Sequence, residues 1–140
     1  VKLKGLLLVA PAPDFTAELM EVSFTDAQRE ELRERGYVEE ESAYSDEPNV
    51  ITRNLIDDGR KNLVLDGVVE TGCPVHILQG MADPDVPYSH AMKLLNHLPS
   101  DDVTMTLIKN GDHRLSRASD LTLLERALDG LSGPPRCSQS

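Results

Sequence analysis

Three short apolar runs limit how this chain can fold. Residues 3–10 are almost continuously apolar, and further runs follow at residues 75–78 and 103–109. Continuous apolarity without alternation is typical of strands that are buried on both faces, as in a parallel sheet. The third run alternates more than the others, which favours a position nearer the edge of the sheet. We therefore expect three parallel strands.

Helical patterns follow the second and third runs. After Pro87 an amphipathic helix is expected to run until Pro99, and a last helix is expected to begin near Ser116 or Ser119 and to end at Gly130. Their apolar residues recur at helical spacing, at Ala91, Leu94, Leu95 and Leu98 in the first and at Leu121, Leu124, Leu128 and Leu131 in the second. Strands that alternate with helices in this way predict an α/β fold with right-handed crossovers.

Residues 15–70 interrupt this alternation. Thr25 and Gln28 match a capping box and Gly36 supplies a stop, so a highly charged surface helix is expected between them. A second helix is expected at about residues 49–60. This region shows no strand pattern, and we predict that it is an inserted helical cap.

The two ends of the sequence indicate the limits of the domain. The chain begins with Val1, directly before the first apolar run, where a natural domain boundary is unusual. We therefore expect residues 1–132 to be the C-terminal portion of a domain whose earlier strands lie upstream. The Pro- and Ser-rich residues 133–140 are expected to form a disordered tail.

Composition argues against several kinds of partner. The formal net charge of −10 disfavours nucleic acid and anionic membrane surfaces, because both reward Lys and Arg. No apolar run approaches the ~20 residues that a membrane span needs. Cys73 and Cys137 form no CxxC pair, so a disulfide framework is not expected and a reducing compartment such as the cytoplasm is favoured.

Groups that handle protons follow the second and third runs. Asp83 comes a few residues after one run and His113 a few residues after the other. The carboxyl ends of neighbouring parallel strands meet at one edge of a sheet, where open α/β folds bind ligands. An acid there can hold an imidazole in one tautomer, and the imidazole can then act as general base and acid. We predict this pair, with Asp85 and Asp112 as alternative acids.

Metal and nucleotide chemistry are poorly supported by the sequence. The four histidines, His76, His90, His97 and His113, form no HExxH motif, and we expect no metal site. No glycine-rich phosphate loop is present, so a bound nucleotide is not expected either.

The segments around the predicted pair resemble a known family. G-M-A-D-P-D-V-P at residues 80–87 resembles the G-x-x-D-x-x-V-P segment that carries the triad acid in α/β-hydrolases, and G-D-H at residues 111–113 resembles their histidine turn. D-H-R-L-S at residues 112–116 is similar to one branch, which contains bacterial α/β-hydrolases and a mitochondrial palmitoyl-protein thioesterase, also called acyl-glucuronide esterase. The specific match covers residues 73–128.

The resemblance implies a serine hydrolase that cleaves carboxylic esters or thioesters without a cofactor, with Asp83 as the triad acid and His113 as the general base. Its nucleophile would be an upstream serine in G-x-S-x-G. No serine of this sequence stands in that motif, and G-L-S-G-P at residues 130–134 comes closest. On its own the chain is therefore expected to be inactive. The alternative is a catalytically inactive fragment or an interaction module of the same fold.

The resemblance also suggests where an acyl substrate would bind. Met81 and Val86, which flank the predicted acid, and Phe15 and Met20 in the insert are the candidate substrate-binding residues. Other apolar residues of the insert would either line the same acyl pocket or merely pack the insert: Leu19, Phe24, Tyr44, Ile51 and Leu55. The implied substrate is a small acyl ester or thioester, and the family allows a mitochondrial as well as a cytoplasmic location.

Overall fold

The structure is a computed structural model that describes residues 2–42, 45–99 and 102–133. The predicted tail beyond Gly133, with Cys137, and the pocket candidate Tyr44 lie outside the described residues. The chain divides into two compact units. One, which we call the sheet unit, contains the described residues up to 12 and from 67 onward; the other, the insert unit, contains residues 13–66.

Ten elements and one π-helical turn make up the described chain. In order they are β1 (Leu6–Val9), a π-helix (Thr16–Met20), α1 (Glu21–Ser23), α2 (Asp26–Arg35), β2 (Tyr37–Glu40), β3 (Asn49–Thr52), α3 (Arg53–Gly59), β4 (Val75–Gly80), α4 (Tyr88–His97), β5 (Val103–Ile108) and α5 (Ala118–Ser132). None of these helices combines the length and the apolarity that a membrane crossing requires, within the part of the chain that the structure describes.

The sheet unit confirms the predicted α/β class. Its three strands are parallel in the order β1-β4-β5, with Leu78 of β4 between Val9 of β1 and Thr106 of β5. The second apolar run therefore forms the central strand, and the third lies at an edge of this sheet, as its alternation indicated. Parallel neighbours must be joined by a crossover connection, and helix α4 lies in the one that joins β4 to β5.

Burial on both faces of β4 explains its continuous apolarity. On one face Leu78 packs with Leu115 and with Ala127 of α5. On the other, Val75 and Ile77 are also fully buried, and α4 contacts both β4 and β5. A side chain of this size contributes about 1.5–3 kcal/mol when it is fully buried, so these positions tolerate few polar residues.

The insert unit contains a hairpin that its sequence pattern did not predict. Residues 49–52 form strand β3, which pairs antiparallel with β2, and the helix expected from residue 49 begins only at Arg53. The expectation that this region contains no strands was therefore wrong. Ile51 is buried opposite the fully buried Val38, and this cross-strand contact outweighs the helical pattern.

The expected helix between Thr25 and Gly36 is confirmed. Thr25 and Gln28 form a reciprocal capping box at the start of α2. Gly36 ends that helix with a φ of 83°, a left-handed conformation that favours glycine. The unit has its own core of Phe24, Val38, Ile51 and Ile56, against which Met20 and Leu32 pack.

Two predicted boundaries shift by a few residues. Strand β1 spans only Leu6–Val9, and Ala10 then takes a φ of 45° that ends it. Helix α5 continues past its expected stop to Ser132, because Gly130 is accommodated inside the helix.

Candidate active site

Asp83 and His113 are carried by loops that leave the same edge of the sheet. The first loop follows β4 and the second follows β5, and these two strands are parallel neighbours. Backbone hydrogen bonds join the loops: Met81 N–H donates to the carbonyl of Ile108 at 2.9 Å, and Ala82 N–H donates to the carbonyl of Gly111 at 3.0 Å. The strand pairing is thus extended beyond the ends of the strands.

Two glycines allow this close approach. A Cβ atom on Gly80 would lie 2.3 Å from the carbonyl oxygen of Gly111 and 2.6 Å from that of Asp112. A Cβ atom on Gly111 would lie 2.6 Å from the Leu115 side chain and 3.0 Å from Cα of Gly80. The glycines that begin the segments at residues 80–87 and 111–113 are therefore needed for packing, because each leaves room for the other loop.

The carboxylate of Asp83 accepts four hydrogen bonds. Oδ1 accepts the backbone N–H groups of Asp85 at 2.8 Å and Val86 at 2.9 Å. Oδ2 accepts Nδ1–H of His113 at 3.0 Å and Nε2–H of Gln79 at 3.2 Å. The side chain is 0% exposed. A carboxylate with two donors on each oxygen is held in one orientation.

These contacts keep Asp83 ionised. Burial alone would raise its pKa, but the N–H of Val86, the hydrogen bond from His113 and the N–H of Asp85 together hold the pKa below its usual value. The acid therefore stays negative at neutral pH, which is the state that stabilises a protonated imidazole.

His113 is bound through one ring nitrogen and is partly open to solvent. Its Nδ1 faces Asp83, its side chain is 40% exposed, and no described residue forms a hydrogen bond with Nε2. Because the ionised carboxylate can only accept, the network assigns the proton of the neutral ring to Nδ1. The lone pair of Nε2 is then left to take a proton.

The loop that carries His113 is fixed on its other side as well. Asp112 Oδ1 accepts the N–H of Leu115 at 2.9 Å, which closes a turn around His113. Leu115 is buried and has a φ of 44°, an unusual conformation for a branched side chain. Next along the chain, the buried Asp120 accepts two hydrogen bonds from the guanidinium of Arg117 at the start of α5.

The structure separates Asp83 from the two alternative acids. Asp112 uses a carboxylate oxygen to cap its own turn, and Asp85 contributes its backbone N–H to Asp83. The hydrogen bond from the His113 ring goes to Asp83.

One ligand atom from each of Asp83, Asp85 and His113 lies within 4.8 Å of the others, so the group has the size of a metal site. A metal on Nδ1 would have to displace the hydrogen bond to Asp83, and the present arrangement suits an acid–base pair better.

The candidate substrate-binding residues have different surroundings. In the sheet unit Val86 is buried and Met81 is partly buried. In the insert unit Met20 packs against the core that contains Phe24 and Ile51, whereas Phe15 is 44% exposed. Leu19 is partly buried and Leu55 is exposed. Met20, Phe24 and Ile51 belong to or pack against the core of the insert. A substrate role stays a prediction for Met20 as it does for the other candidates.

A cavity of about 1000 Å³ in the sheet unit lies away from the pair. It is lined by the first residues of β4 and β5 and by α5, including His76, Thr104 and Leu131, and neither Asp83 nor His113 borders it. Burial lowers the pKa of His76, whose Nε2 lies 2.9 Å from the Thr106 hydroxyl.

Gln79 is a polar residue of the site that was not predicted from the sequence. It is completely buried, and its amide touches Asp83. The signal was present in the sequence, because a glutamine follows the apolar residues Ile77 and Leu78 directly before Gly80. A buried polar side chain needs partners, and here those partners belong to the acid loop.

The sequence and the fold have clear relatives. No protein-family model matches the sequence. The mitochondrial palmitoyl-protein thioesterase ABHD10 of Bos taurus is 31% identical over 104 residues, which are 74% of this chain and 34% of the thioesterase. Among solved structures, a protein of Agrobacterium vitis S4 that is assigned as a hydrolase is 58% identical with a TM-score of 0.87, covering 91% of this chain and 49% of that one.

A second solved structure is also similar to this chain in sequence and fold. Mouse alpha/beta hydrolase domain-containing protein 10 is 26% identical with a TM-score of 0.78, covering 91% of this chain and 51% of that one. The chain thus spans about a third of the length of the bovine thioesterase and about half of each solved protein.

Proposed function

Because this chain is a relative of the α/β-hydrolases and has part of their fold, we propose that it supplies the acid and the base of a serine hydrolase that cleaves carboxylic esters or thioesters. The observation that carries the proposal is the 3.0 Å hydrogen bond between His113 Nδ1 and Asp83 Oδ2, where two neighbouring parallel strands end. No cofactor takes part.

The first half of the reaction forms an acyl-enzyme. Nε2 of His113 takes the proton of a serine hydroxyl while the serine oxygen attacks the acyl carbonyl. The imidazolium that results is stabilised by the ionised Asp83, whose buried carboxylate cannot turn away from Nδ1. When the tetrahedral intermediate collapses, Nε2 returns the proton to the departing alcohol or thiol.

The second half repeats these steps with water. Nε2 takes a proton from a water molecule, the hydroxide oxygen attacks the acyl-serine, and the proton passes to the serine oxygen as the carboxylic acid leaves. Asp83 keeps the His113 ring in the tautomer that can accept at Nε2 throughout. The partly exposed ring can meet both water and a substrate.

The serine itself would come from outside these 140 residues. None of the serines in this sequence stands in a G-x-S-x-G motif, and the backbone donors that stabilise the oxyanion would come from outside it as well. This chain alone is accordingly expected to leave p-nitrophenyl esters intact and to resist labelling by a fluorophosphonate.

The name of one relative bears on the proposed substrate and location. The bovine relative is named as a palmitoyl-protein thioesterase and as mitochondrial. We extend to this chain the acyl part of that name and propose a small acyl ester or thioester as the substrate. The proposed location is the cytoplasm, as the cysteine content favours, with the mitochondrion as the alternative that the name of the relative suggests.

A chimera provides the test. The half of the Agrobacterium vitis protein that matches this chain is replaced by the chain, so that the other half supplies the expected nucleophile. Hydrolysis of p-nitrophenyl esters and of acyl thioesters is then measured. We expect turnover that is abolished by His113→Ala but kept by His97→Ala, a matched control at a histidine whose Nδ1 bonds within α4 to the Lys93 carbonyl.

The alternative function is a non-catalytic module of the same fold, and the lack of a nucleophile in the sequence favours it. A chimera that folds cooperatively but hydrolyses none of these substrates would support the module. Turnover that survives His113→Ala would also contradict the proposed mechanism, because it would not depend on the base.

A further inference from the structure

Gln79 stands out as a buried polar group beside the acid–base pair. It is the next-to-last residue of the central strand β4 and is 0% exposed. Its side-chain Nε2 lies 3.0 Å from the carbonyl of Gly80, 3.2 Å from Oδ2 of Asp83 and 3.1 Å from the carbonyl of Val86. One amide group therefore contacts both ends of the acid loop and the acid between them.

The orientation of this amide is determined by its neighbours. All three atoms around Nε2 can only accept hydrogen bonds, since the third is the ionised carboxylate. Turning the amide over would place its oxygen against these acceptors. The present orientation leaves Oε1 buried without a donor among the residues that the structure describes. A buried acceptor without a partner is unfavourable, so the contacts of Nε2 must outweigh it.

Asp83 Oδ2 is the atom at which Gln79 and His113 meet. It accepts from both, at 3.2 Å from Gln79 and 3.0 Å from His113, while Oδ1 is occupied by two backbone N–H groups. With donors on both oxygens the carboxylate cannot rotate about its Cβ–Cγ bond without losing hydrogen bonds. The Gln79 amide restricts the carboxylate without adding a charge, so the attraction between Asp83 and a protonated His113 is not reduced by a competing cation.

We propose that Gln79 is a positioning residue, whose amide holds Oδ2 of Asp83 in line with Nδ1 of His113 and so selects the tautomer of the base. The inference rests on the proposed function for its catalytic meaning. Its physical content, a neutral amide that orders a buried carboxylate, is tested on the chain itself.

The first test needs no substitution. Long-range ¹H–¹⁵N NMR spectra of the labelled chain report which nitrogen of His113 carries the proton, and the same sample reports the side-chain amide protons of Gln79. We expect the Nδ1–H tautomer, and we expect one Gln79 amide proton to shift with the same pH midpoint as the His113 ring. A glutamine that only ties the carbonyls of Gly80 and Val86 together would not follow that titration.

The second test removes the donor. Gln79→Met keeps an unbranched side chain of similar length but cannot donate. We expect the Nδ1–H tautomer of His113 to fall from the major to the minor form. Gln28→Met is the matched control, because Gln28 also donates from Nε2 to a carboxylate, that of Glu40, within the insert unit. It should leave His113 unchanged.

The outcomes separate the two proposals. Gln79 amide protons that do not respond to the His113 titration, or an unchanged tautomer in a folded Gln79→Met chain, would overturn the positioning role and leave the proposed acid–base pair intact. A wild-type His113 with its proton on Nε2 would contradict the pair itself, and both proposals with it. If the Gln79→Met chain does not fold, the wild-type titration decides alone.

Discussion

Replacing Gly80 by alanine should separate the two loops of the site. The new Cβ atom would lie 2.3 Å from the Gly111 carbonyl oxygen, about 1 Å short of ordinary contact at 3.4 Å, and the neighbouring atoms belong to backbone that cannot rotate aside. A shift of about 1 Å would stretch the 3.0 Å contacts from Ala82 N–H to Gly111 and from His113 to Asp83 beyond hydrogen-bonding range.

The expected loss of stability follows from these contacts. Overpacking of a well-packed site costs about 1–3 kcal/mol, and a lost backbone hydrogen bond adds about 0.5–1.5 kcal/mol. Together they predict a decrease of roughly 2–4 kcal/mol in the free energy of unfolding. With a urea m-value of about 2 kcal/mol per M, the midpoint should fall by roughly 1–2 M.

Urea unfolding followed by far-UV circular dichroism measures this decrease. Gly67→Ala is the matched control, because a Cβ atom on that exposed glycine would meet nothing within 4 Å. It should change stability by less than about 1 kcal/mol. If Gly80→Ala unfolds at the same urea concentration as Gly67→Ala, with the Nδ1–H tautomer of His113 retained, the close approach of the two loops is not what holds the site together.

Three further predictions concern the acid and the insert. In the chimera, Asp83→Asn should lower kcat roughly 10⁴-fold while Asp85→Asn changes it much less, and the reverse ranking would show that the acid is misassigned. Because the folded pKa of Asp83 lies below its ordinary value of 3.8, its contribution to stability is complete above that pH and is lost as the pH falls toward the folded pKa. Unfolding midpoints measured between about pH 6 and about pH 2.5 should therefore fall less steeply for Asp83→Asn than for wild type, and parallel curves would refute this. Ile56→Ala, at a fully buried position of the insert core, should cost about 2–5 kcal/mol by urea unfolding, and a cost below about 1 kcal/mol would mean that this core contributes little.

The sheet was predictable because burial on both faces leaves a simple mark on a sequence. A strand such as β4, covered above and below, must be apolar at successive positions, and its neighbours could be placed from the helices between them. The same reasoning predicted that Asp83 and His113 lie at one edge of the sheet, because residues that follow two neighbouring parallel strands leave the sheet at the same edge.

The hairpin of the insert was not predictable in the same way. Strands of four residues give only two inward positions each, and β3 ends at Thr52, which also caps α3 through its hydroxyl. The sequence of β3 is therefore equally compatible with the first turn of a helix. Only the contact of Ile51 with a strand some distance back along the chain decides between the two, and that contact is not a local property.

Gln79 was missed because its role depends on geometry beyond its own strand. A single glutamine in a run of apolar residues gives no indication of which groups it will meet. One of its acceptors is the carbonyl of Gly80 at the end of β4, and the other two, the carboxylate of Asp83 and the carbonyl of Val86, come from the turn that follows. The three converge on Nε2 only after that turn has folded back over the end of β4.

The separation of 30 positions between Asp83 and His113 in the sequence also affects when the pair can form. A parallel pairing of β4 and β5 cannot be closed by a tight turn, so α4 must first dock and carry the chain back to the start of the sheet. Closing so long a segment costs chain entropy before any long-range contact compensates for it, which makes such pairings slow steps in folding. The hydrogen bond from His113 to Asp83 thus cannot precede the assembly of the sheet. During refolding, the time at which this hydrogen bond appears would therefore report when β5 pairs with β4.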